Sequence, residues 1–183
     1  MKVKERNVQN LKCLISYFSR SGNNYVDGTI VNLLVGNTEV VANMIQEMTQ
    51  GDLFHIEAVN AYPEEYSETT EVAQQELRTN ARPKLSSHLE SMVSYDVIFL
   101  GYPNWYGTMP MPVFTFLEEY DVAGKTIVPF CTHEGSGLGR SVADIRKICP
   151  QSTVLEGLAI RGSDVKNAQD GVSGWLQDIG MKK

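Results

Sequence analysis

Small hydroxyl and amide side chains cluster directly after the first apolar run of the sequence. The stretch YFSRSGNN occupies residues 17–24 and follows the apolar run at 11–15 without a break. Hydroxyl residues around a glycine, placed just after a strand-like run, can hold a phosphate group against backbone N–H groups at the N-terminus of a helix. The same residue types also form ordinary turns. The rest of the sequence is therefore needed to distinguish an anion site from a turn.

Residue types that can bind a cofactor recur in two later segments of the sequence. Together with the first segment they form three groups, and each group follows an apolar run of strand length. Hydroxyl and amide donors in the first group suit a doubly charged phosphate, and an aromatic pair in the second group suits a flat ring. One phosphate and one flat ring together describe flavin mononucleotide (FMN), which is the cofactor we predict. The candidate cofactor-binding residues are Ser19, Arg20, Ser21, Gly22 and Asn23, joined by Asn37 and Thr38, in the first group; Pro103, Asn104, Trp105, Tyr106, Gly107 and Thr108 in the second; and Thr132, His133, Glu134, Gly135, Ser136 and Gly137 in the third.

Each group also has a plainer interpretation, and the sequence alone leaves several of these open. Residues 21–23 can be simple turn chemistry, and the aromatic pair can be packing at the rim of a sheet. Arg20 can bind the phosphate, remain solvated or pair with a nearby carboxylate. His133 can donate to the flavin or only stiffen its loop. The run GSGLG at 135–139 has its third glycine one position early for a dinucleotide fingerprint and follows the fourth predicted strand, so we predict no separate NAD site there.

Five apolar runs of strand length must position these groups. They lie at 11–18, 53–58, 95–102, 125–131 and 152–160. Continuous apolar runs, rather than alternation, indicate strands that are covered on both faces, as in a parallel sheet with crossover helices. Ligands of such open sheets bind outside the carboxyl ends of the strands. We therefore predict one α/β domain over residues 11–183, a doubly wound five-stranded parallel sheet with helices on both faces, preceded by a polar extension at 1–10.

Helical patterns alternate with the apolar runs. The best-signalled helix has an apolar stripe over residues 40–48, with Asn37 or Thr38 as the N-cap and Gly51 just past its end. Further helices are predicted at 64–80, 111–120, 139–148 and 167–179. Residues 24–36 are too long for a minimal strand-to-helix loop, and Asp27-Gly28 within them is a hairpin signal. We predict that this insertion forms a small β-excursion, which brings residues 19–23 and 37–38 together at one anion.

Charge and composition exclude several classes of function. The chain has 183 residues and a formal charge of −6, so no sequence-wide basic field attracts nucleic acid or anionic lipid. No segment approaches the roughly 20 apolar residues that span a bilayer, and the start lacks an apolar signal core, so we expect a soluble, cytoplasmic protein with no membrane contact. Three widely spaced cysteines suit reduced structural thiols, and three scattered histidines give no support to a metal site.

Three motifs in order resemble the flavodoxin family. YFSRSGN…GNTEVVANMI, GYPNWYGTMPMPV and THEGSGLGRSVADI are similar to the phosphate loop and the two isoalloxazine loops of its branch with an insertion after the phosphate-loop glycine. The resemblance implies a flavodoxin-like fold with strand order 2-1-3-4-5 and non-covalent FMN. It implies that Ser19, Ser21, Asn23, Asn37 and Thr38 hold the phosphate, while residues 103–108 and 132–137 line the ring. That branch often has two consecutive tryptophans where this chain has Trp105-Tyr106, so the stacking residue stays open.

The leading functional prediction is a low-potential electron carrier, in which the flavin performs the redox chemistry and no side chain is catalytic. Its partners would be redox proteins, a reductase and an electron acceptor. The alternative within the same superfamily is an NAD(P)H-dependent flavin or quinone reductase. A phospho-receiver domain is rejected because no carboxylate follows the first strand, and a flavin-free interaction module would be colourless. The sequence leaves the oligomeric state open.

Overall fold

The computed structural model of the protein describes residues 10–182, so the predicted extension at 1–10 lies almost wholly outside the described residues. The strands are β1 (Cys13–Tyr17), β2 (Gly22–Val26), β3 (Thr29–Leu33), β4 (Asp52–His55), β5 (Val97–Pro103), β6 (Thr126–His133), β7 (Thr153–Val154) and β8 (Leu158–Arg161). The helices are α1 (Asn37–Thr49), α2 (Tyr66–Thr79), α3 (Met111–Glu119), α4 (Ser141–Ile148) and α5 (Gln169–Asp178), with a 3-10 helix at Gly162–Asn167.

The main sheet is parallel and covered on both faces, which confirms the predicted fold class. Successive residues of β1 enter opposite cores: Leu14 packs in the core that α3 and α4 cover, and Ile15 in the core that α1 and α5 cover. Both side chains are fully buried. Because neither face of β1 meets solvent, its sequence reads as a continuous apolar run rather than as an alternation.

The strands lie in the order β4-β1-β5-β6-β7, and β8 also pairs with β6. With the inserted hairpin set aside, this is the predicted order 2-1-3-4-5. The run at 152–160 does not form one strand, however, because β7 and β8 share the fifth position. The interruption lies opposite Pro129 of β6, which has no N–H to donate to a neighbouring strand.

The inserted segment forms the predicted hairpin. β2 and β3 pair in antiparallel register, with Val26 opposite Thr29 on either side of a two-residue turn. The turn residues Asp27 and Gly28 have φ of 50° and 86°. Positive φ at both central positions is the mark of a type I′ turn, which matches the twist of a hairpin and explains the Asp-Gly pair.

Several predicted helix boundaries are off by one or two residues: α2 begins at Tyr66 rather than at 64, and α5 at Gln169 rather than at 167. The N-cap of α1 is Gly36 rather than Asn37 or Thr38, because the Thr38 hydroxyl lies 2.8 Å from that of Thr132 and is not used as a cap. Helix α4 begins at Ser141 rather than at 139. Gly139 has a φ of 54° and packs so closely that a Cβ there would lie 2.3 Å from the Gly107 carbonyl oxygen. A left-handed residue at this close approach cannot continue a helix.

Candidate functional site

The first loop and helix α1 meet at one point, although the hairpin separates them in sequence. The Glu39 N–H donates to Ser19 Oγ at 3.1 Å, so Ser19 satisfies one of the open N–H groups at the start of α1. A Cβ on Gly36 would lie 2.2 Å from Ser19 Oγ, so only glycine permits this approach. The hairpin is therefore inserted without displacing the helix end from the loop.

Several hydrogen-bond donors converge beside this junction. Helix geometry leaves the N–H groups of Asn37 and Thr38 without acceptors inside α1. The hydroxyls of Thr38 and Thr132 lie 2.8 Å apart, and both residues are buried. One hydroxyl donates to the other, so the second retains a proton that it can donate elsewhere. N–H groups, a hydroxyl proton and the positive end of a helix dipole together suit an anion.

Arg20 ties the first loop to the segment before α2. Its guanidinium donates to the backbone carbonyls of Asn23, Pro63 (2.7 Å) and Glu64 (2.6 Å). These bonds use three of its five N–H groups, so two can still reach a ligand. Burial lowers the pKa of the guanidinium, with Tyr66 and Glu64 acting in the opposite direction. Arg20 is thus half-buried and held by backbone carbonyls, with the Glu64 carboxylate close enough to act on its charge.

The second and third loops leave the sheet side by side and are joined by Asn104. Pro103 at the end of β5 pairs with Thr132 of β6, and the Asn104 N–H donates to the Thr132 carbonyl at 2.8 Å. The Asn104 amide also donates to the Gly137 carbonyl at 2.8 Å and accepts the Gly107 N–H at 2.9 Å. One side chain therefore fixes the separation of the two loops.

The aromatic pair divides into a fixed ring and an exposed ring. Trp105 packs edge-on against Phe18 and Tyr62, with ring centroids 5.2 Å and 5.1 Å away. Tyr106 follows in the left-handed conformation, with a φ of 54°, and is 46% exposed. Its hydroxyl donates to the Thr70 carbonyl on α2. The two consecutive side chains of this turn therefore point in different directions. Packing against the core fixes the Trp105 ring, whereas the Tyr106 ring lies at the surface.

A central cavity of about 150 Å³ lies where the three loops converge, and a side cavity of about 200 Å³ adjoins it beneath the exposed ring of Tyr106. The two cavities share Arg20, Asn24, Tyr66, Asn104 and Trp105. The central cavity is lined by Ser19, Arg20, Asn24, Tyr25, Asn37, Thr38, Tyr66, Pro103, Asn104, Trp105, Thr132, His133, Glu134 and Gly162.

Four lining residues of the central cavity were not predicted. Asn24 and Tyr25 belong to β2, and the Tyr25 ring stacks on that of Tyr66 with centroids 6.1 Å apart. Nothing in the sequence indicated that the hairpin folds back over the cavity. Gly162 follows β8 at the same edge of the sheet, and a Cβ there would lie 2.1 Å from Glu134 Oε1. A glycine two residues past the end of the last predicted strand, at 152–160, was the signal that could have identified it.

Some predicted residues shape the loops, among them His133 and Glu134, which also line the central cavity. Thr108 is buried and donates to Asp144 Oδ2 at 2.5 Å, so it points away from the cavity. His133 Nδ1 accepts the Gly135 N–H at 2.9 Å and thereby stiffens its own loop. Glu134 accepts the Asp27 N–H at 2.9 Å, which fastens the hairpin turn to the third loop. The remaining predicted residues outside the central cavity are Ser21, Gly22, Asn23, Tyr106, Gly107, Gly135, Ser136 and Gly137.

A third cavity of about 330 Å³ lies on the β4 side of the first loop. It shares Ser19 and Arg20 with the central cavity and is lined otherwise by residues such as His55 and Tyr62. No residue of the second or third loop borders it. Apart from Ser19 and Arg20, it is therefore lined by a different set of residues from the central cavity.

Within residues 10–182, no group of three or more His, Cys, Asp or Glu side chains is arranged to hold a metal ion. The described helices include none that is long and apolar enough to cross a membrane.

Comparisons with known proteins give one family match and several similar structures. The profile of the flavodoxin family matches residues 12–179. No curated protein sequence matches the chain at a significant level. Among solved structures, a candidate flavoprotein from Bacteroides eggerthii is 28% identical, with a TM-score of 0.77 over 94% of this chain and 100% of that one. A candidate flavoprotein from Bacteroides uniformis is 25% identical, with a TM-score of 0.70 over 91% and 98%. A flavoprotein from Lactobacillus acidophilus in complex with FMN is 22% identical, with a TM-score of 0.62 over 86% and 97%.

Proposed function

Because this chain belongs to the flavodoxin family, we propose that it binds FMN non-covalently and carries electrons between protein partners. When bound, FMN supplies reversible one- and two-electron transfer. The protein contributes a phosphate site, a wall for the ring and a surface that partners recognise. The observation that carries the proposal is that the central cavity is lined both by the anion donors at the start of α1 and by Trp105.

The donor set fits the phosphate of FMN. The N–H groups of Asn37 and Thr38, a hydroxyl of the Thr38–Thr132 pair and the remaining N–H groups of Arg20 would hold it. Ser19 positions the helix end against the loop through its bond to Glu39. Charge-assisted hydrogen bonds of this kind are about twice as strong as neutral ones. The phosphate end therefore supplies much of the affinity.

The space fits the rest of the cofactor. Ligand sites usually enclose about 300–1,000 Å³, so neither the central nor the side cavity is large enough alone, whereas the two together reach that range. Trp105 borders both cavities and is held by the core, so it is the residue we assign to the flavin ring. Tyr106 covers the side cavity from the solvent side.

The volumes and positions of the cavities favour a carrier over an NAD(P)H-dependent enzyme. Once FMN fills the central and side cavities, neither leaves room for a nicotinamide ring. The third cavity borders neither ring-lining loop. Hydride transfer requires contact between the nicotinamide and flavin rings, so this arrangement of cavities favours a carrier.

Charge near the site favours a basic partner. Four exposed glutamates, Glu64, Glu65, Glu68 and Glu71, lie at the start of α2, whose Thr70 carbonyl accepts the Tyr106 hydroxyl. With a formal charge of −6 on the whole chain, they would steer a basic protein toward the cavity. We also propose a cytoplasmic location, since three buried cysteines suit a reducing compartment.

The test is anaerobic stopped-flow reduction of the FMN-loaded protein. We expect slow reduction by NADPH alone and fast reduction when a flavodoxin reductase is added, with a rate that falls as ionic strength rises. Changing Glu64, Glu68 and Glu71 to Gln together should weaken the salt dependence, whereas Glu156→Gln, at an exposed residue beyond β7, should not. Fast, saturable reduction by NADPH or NADH alone, with turnover on a quinone, would replace the carrier by a reductase.

A further inference from the structure

The hairpin β2–β3 leaves one backbone edge open. Among the described residues, β3 pairs with no strand other than β2. In a hairpin closed by a two-residue turn, the flanking pair Val26 and Thr29 is hydrogen-bonded, and such pairs then alternate along the strands. The N–H and C=O groups of Ile30 and Asn32 therefore point away from β2. They form a row of unpaired donors and acceptors at the protein surface.

This edge lacks the features that normally protect an edge strand. Proteins usually place lysine, proline or a bulge on such strands to prevent pairing with another chain. Residues 28–36, GTIVNLLVG, contain no charged residue and no proline. Their apolar side chains are exposed: Ile30 by 50%, Leu34 by 94% and Val35 by 44%. An unprotected, uncharged and apolar edge of this kind is open to pairing with another strand.

We propose that this edge is a self-association surface, on which β3 of a second copy of the chain pairs in antiparallel register. Asn32 would lie opposite its own counterpart across a two-fold axis. Ile30 would then lie opposite Leu34 of the second copy, the residue that directly follows β3, and Leu34 opposite Ile30. The two hairpins would form one four-stranded sheet.

The sequence of the edge favours a second copy over an unrelated strand. Residues 30, 32 and 34 read Ile, Asn, Leu, so reversal about Asn32 places an apolar residue opposite an apolar residue on both sides. Such cross-strand pairs stabilise sheets, and an interface of this kind closes as a dimer. Two copies of the chain both carry a charge of −6, and a run of nine residues without charge is where they can approach without repulsion. A two-stranded hairpin is also marginally stable alone and gains from further strands.

Sedimentation velocity over a micromolar to submillimolar range tests the association. We expect a reversible monomer–dimer equilibrium in both the cofactor-free and the FMN-loaded protein, because the edge lies outside the binding cavities. Leu34→Lys should raise the dimer dissociation constant at least tenfold. The matched control is Val93→Lys, which makes the same charge change at a residue that is 86% exposed and distant in sequence, and it should leave the constant unchanged.

Cross-linking tests the register. Opposed residues of a hydrogen-bonded antiparallel pair have Cα atoms about 5.5 Å apart, which a disulfide can span. Under mild oxidation Asn32→Cys should give a covalent dimer quickly, and Val93→Cys should not. A protein that stays monomeric at submillimolar concentration, or that dimerises equally well with Leu34→Lys, would overturn the proposal. Both outcomes are independent of whether FMN binds.

Discussion

The hydroxyl pair of Thr38 and Thr132 allows the stability of the fold to be separated from binding of the phosphate. The two oxygens lie 2.8 Å apart, and the residues are 2% and 5% exposed. Valine has the shape of threonine without the hydroxyl. Three variants, Thr38→Val, Thr132→Val and the double variant, therefore remove one partner, the other partner or both, without changing the packing volume.

In the cofactor-free protein, each single variant leaves one buried hydroxyl without its partner, which costs about 1–3 kcal/mol of unfolding free energy. The double variant replaces both hydroxyls by apolar groups, which can be nearly neutral. We therefore expect the double variant to lose less stability than the sum of the single variants, by about 0.5–3 kcal/mol, the usual coupling between groups in contact. Urea denaturation of the four proteins measures this cycle.

The affinity for FMN should follow a different pattern. Each single variant keeps one hydroxyl proton that can be donated to the phosphate, whereas the double variant keeps none. A hydrogen bond to a charged group contributes about 1.5–3 kcal/mol, so the double variant should bind FMN roughly 10- to 150-fold more weakly. The reasoning is refuted if the double variant binds FMN as tightly as the wild type, or if the single variants add in stability as two independent sites would.

Three further predictions concern the loops and helix α2. Trp105→Leu should weaken FMN binding by about 0.5–1.5 kcal/mol, the value of an aromatic contact, and should reduce the quenching of flavin fluorescence. Tyr106→Leu should change the affinity and the quenching less. If neither variant changes them measurably, the two aromatic residues are purely structural. Asn104→Ala should lower the unfolding free energy of the cofactor-free protein by about 1–3 kcal/mol, since one side-chain hydrogen bond to the third loop and one within the second loop are lost. Burial raises the pKa of the Glu76 carboxyl above its ordinary 4.5, so the wild type should lose stability as pH rises from 4.5 through the raised pKa. Glu76→Gln should abolish this loss, whereas the exposed control Glu71→Gln should keep it. Denaturation curves at several pH values measure the difference.

The arrangement of the sheet could be predicted because burial on both faces leaves a direct trace in the sequence. The runs that became β1, β5 and β6 are continuous and apolar, and the order of strands and helices then restricts the topology. The hairpin could be predicted equally well, because Asp27-Gly28 is a preferred residue pair for a type I′ turn. The division of the fifth strand was missed because its cause, Pro129, lies in the neighbouring strand rather than in the run itself.

Only part of the candidate site could be predicted from the sequence, for a similar reason. Residues at the ends of strands could be assigned to one edge, and many of them do line the central cavity. Tyr66 and Tyr25 could not, because each reaches the cavity through a tertiary contact between α2 and the hairpin. The role of Arg20 also depended on contacts distant in sequence, with the carbonyls of Pro63 and Glu64. Local patterns contain no information about such partners.

Titration of the cofactor-free protein with FMN and with riboflavin, which lacks the phosphate, tests the central claim most directly. Isothermal calorimetry should show one FMN bound per chain and riboflavin bound at least tenfold more weakly, because each lost charge-assisted hydrogen bond is worth about 1.5–3 kcal/mol. Equal affinities for the two ligands would contradict the phosphate site at Ser19, Arg20 and the start of α1. Absence of FMN binding would contradict the proposed function as a whole.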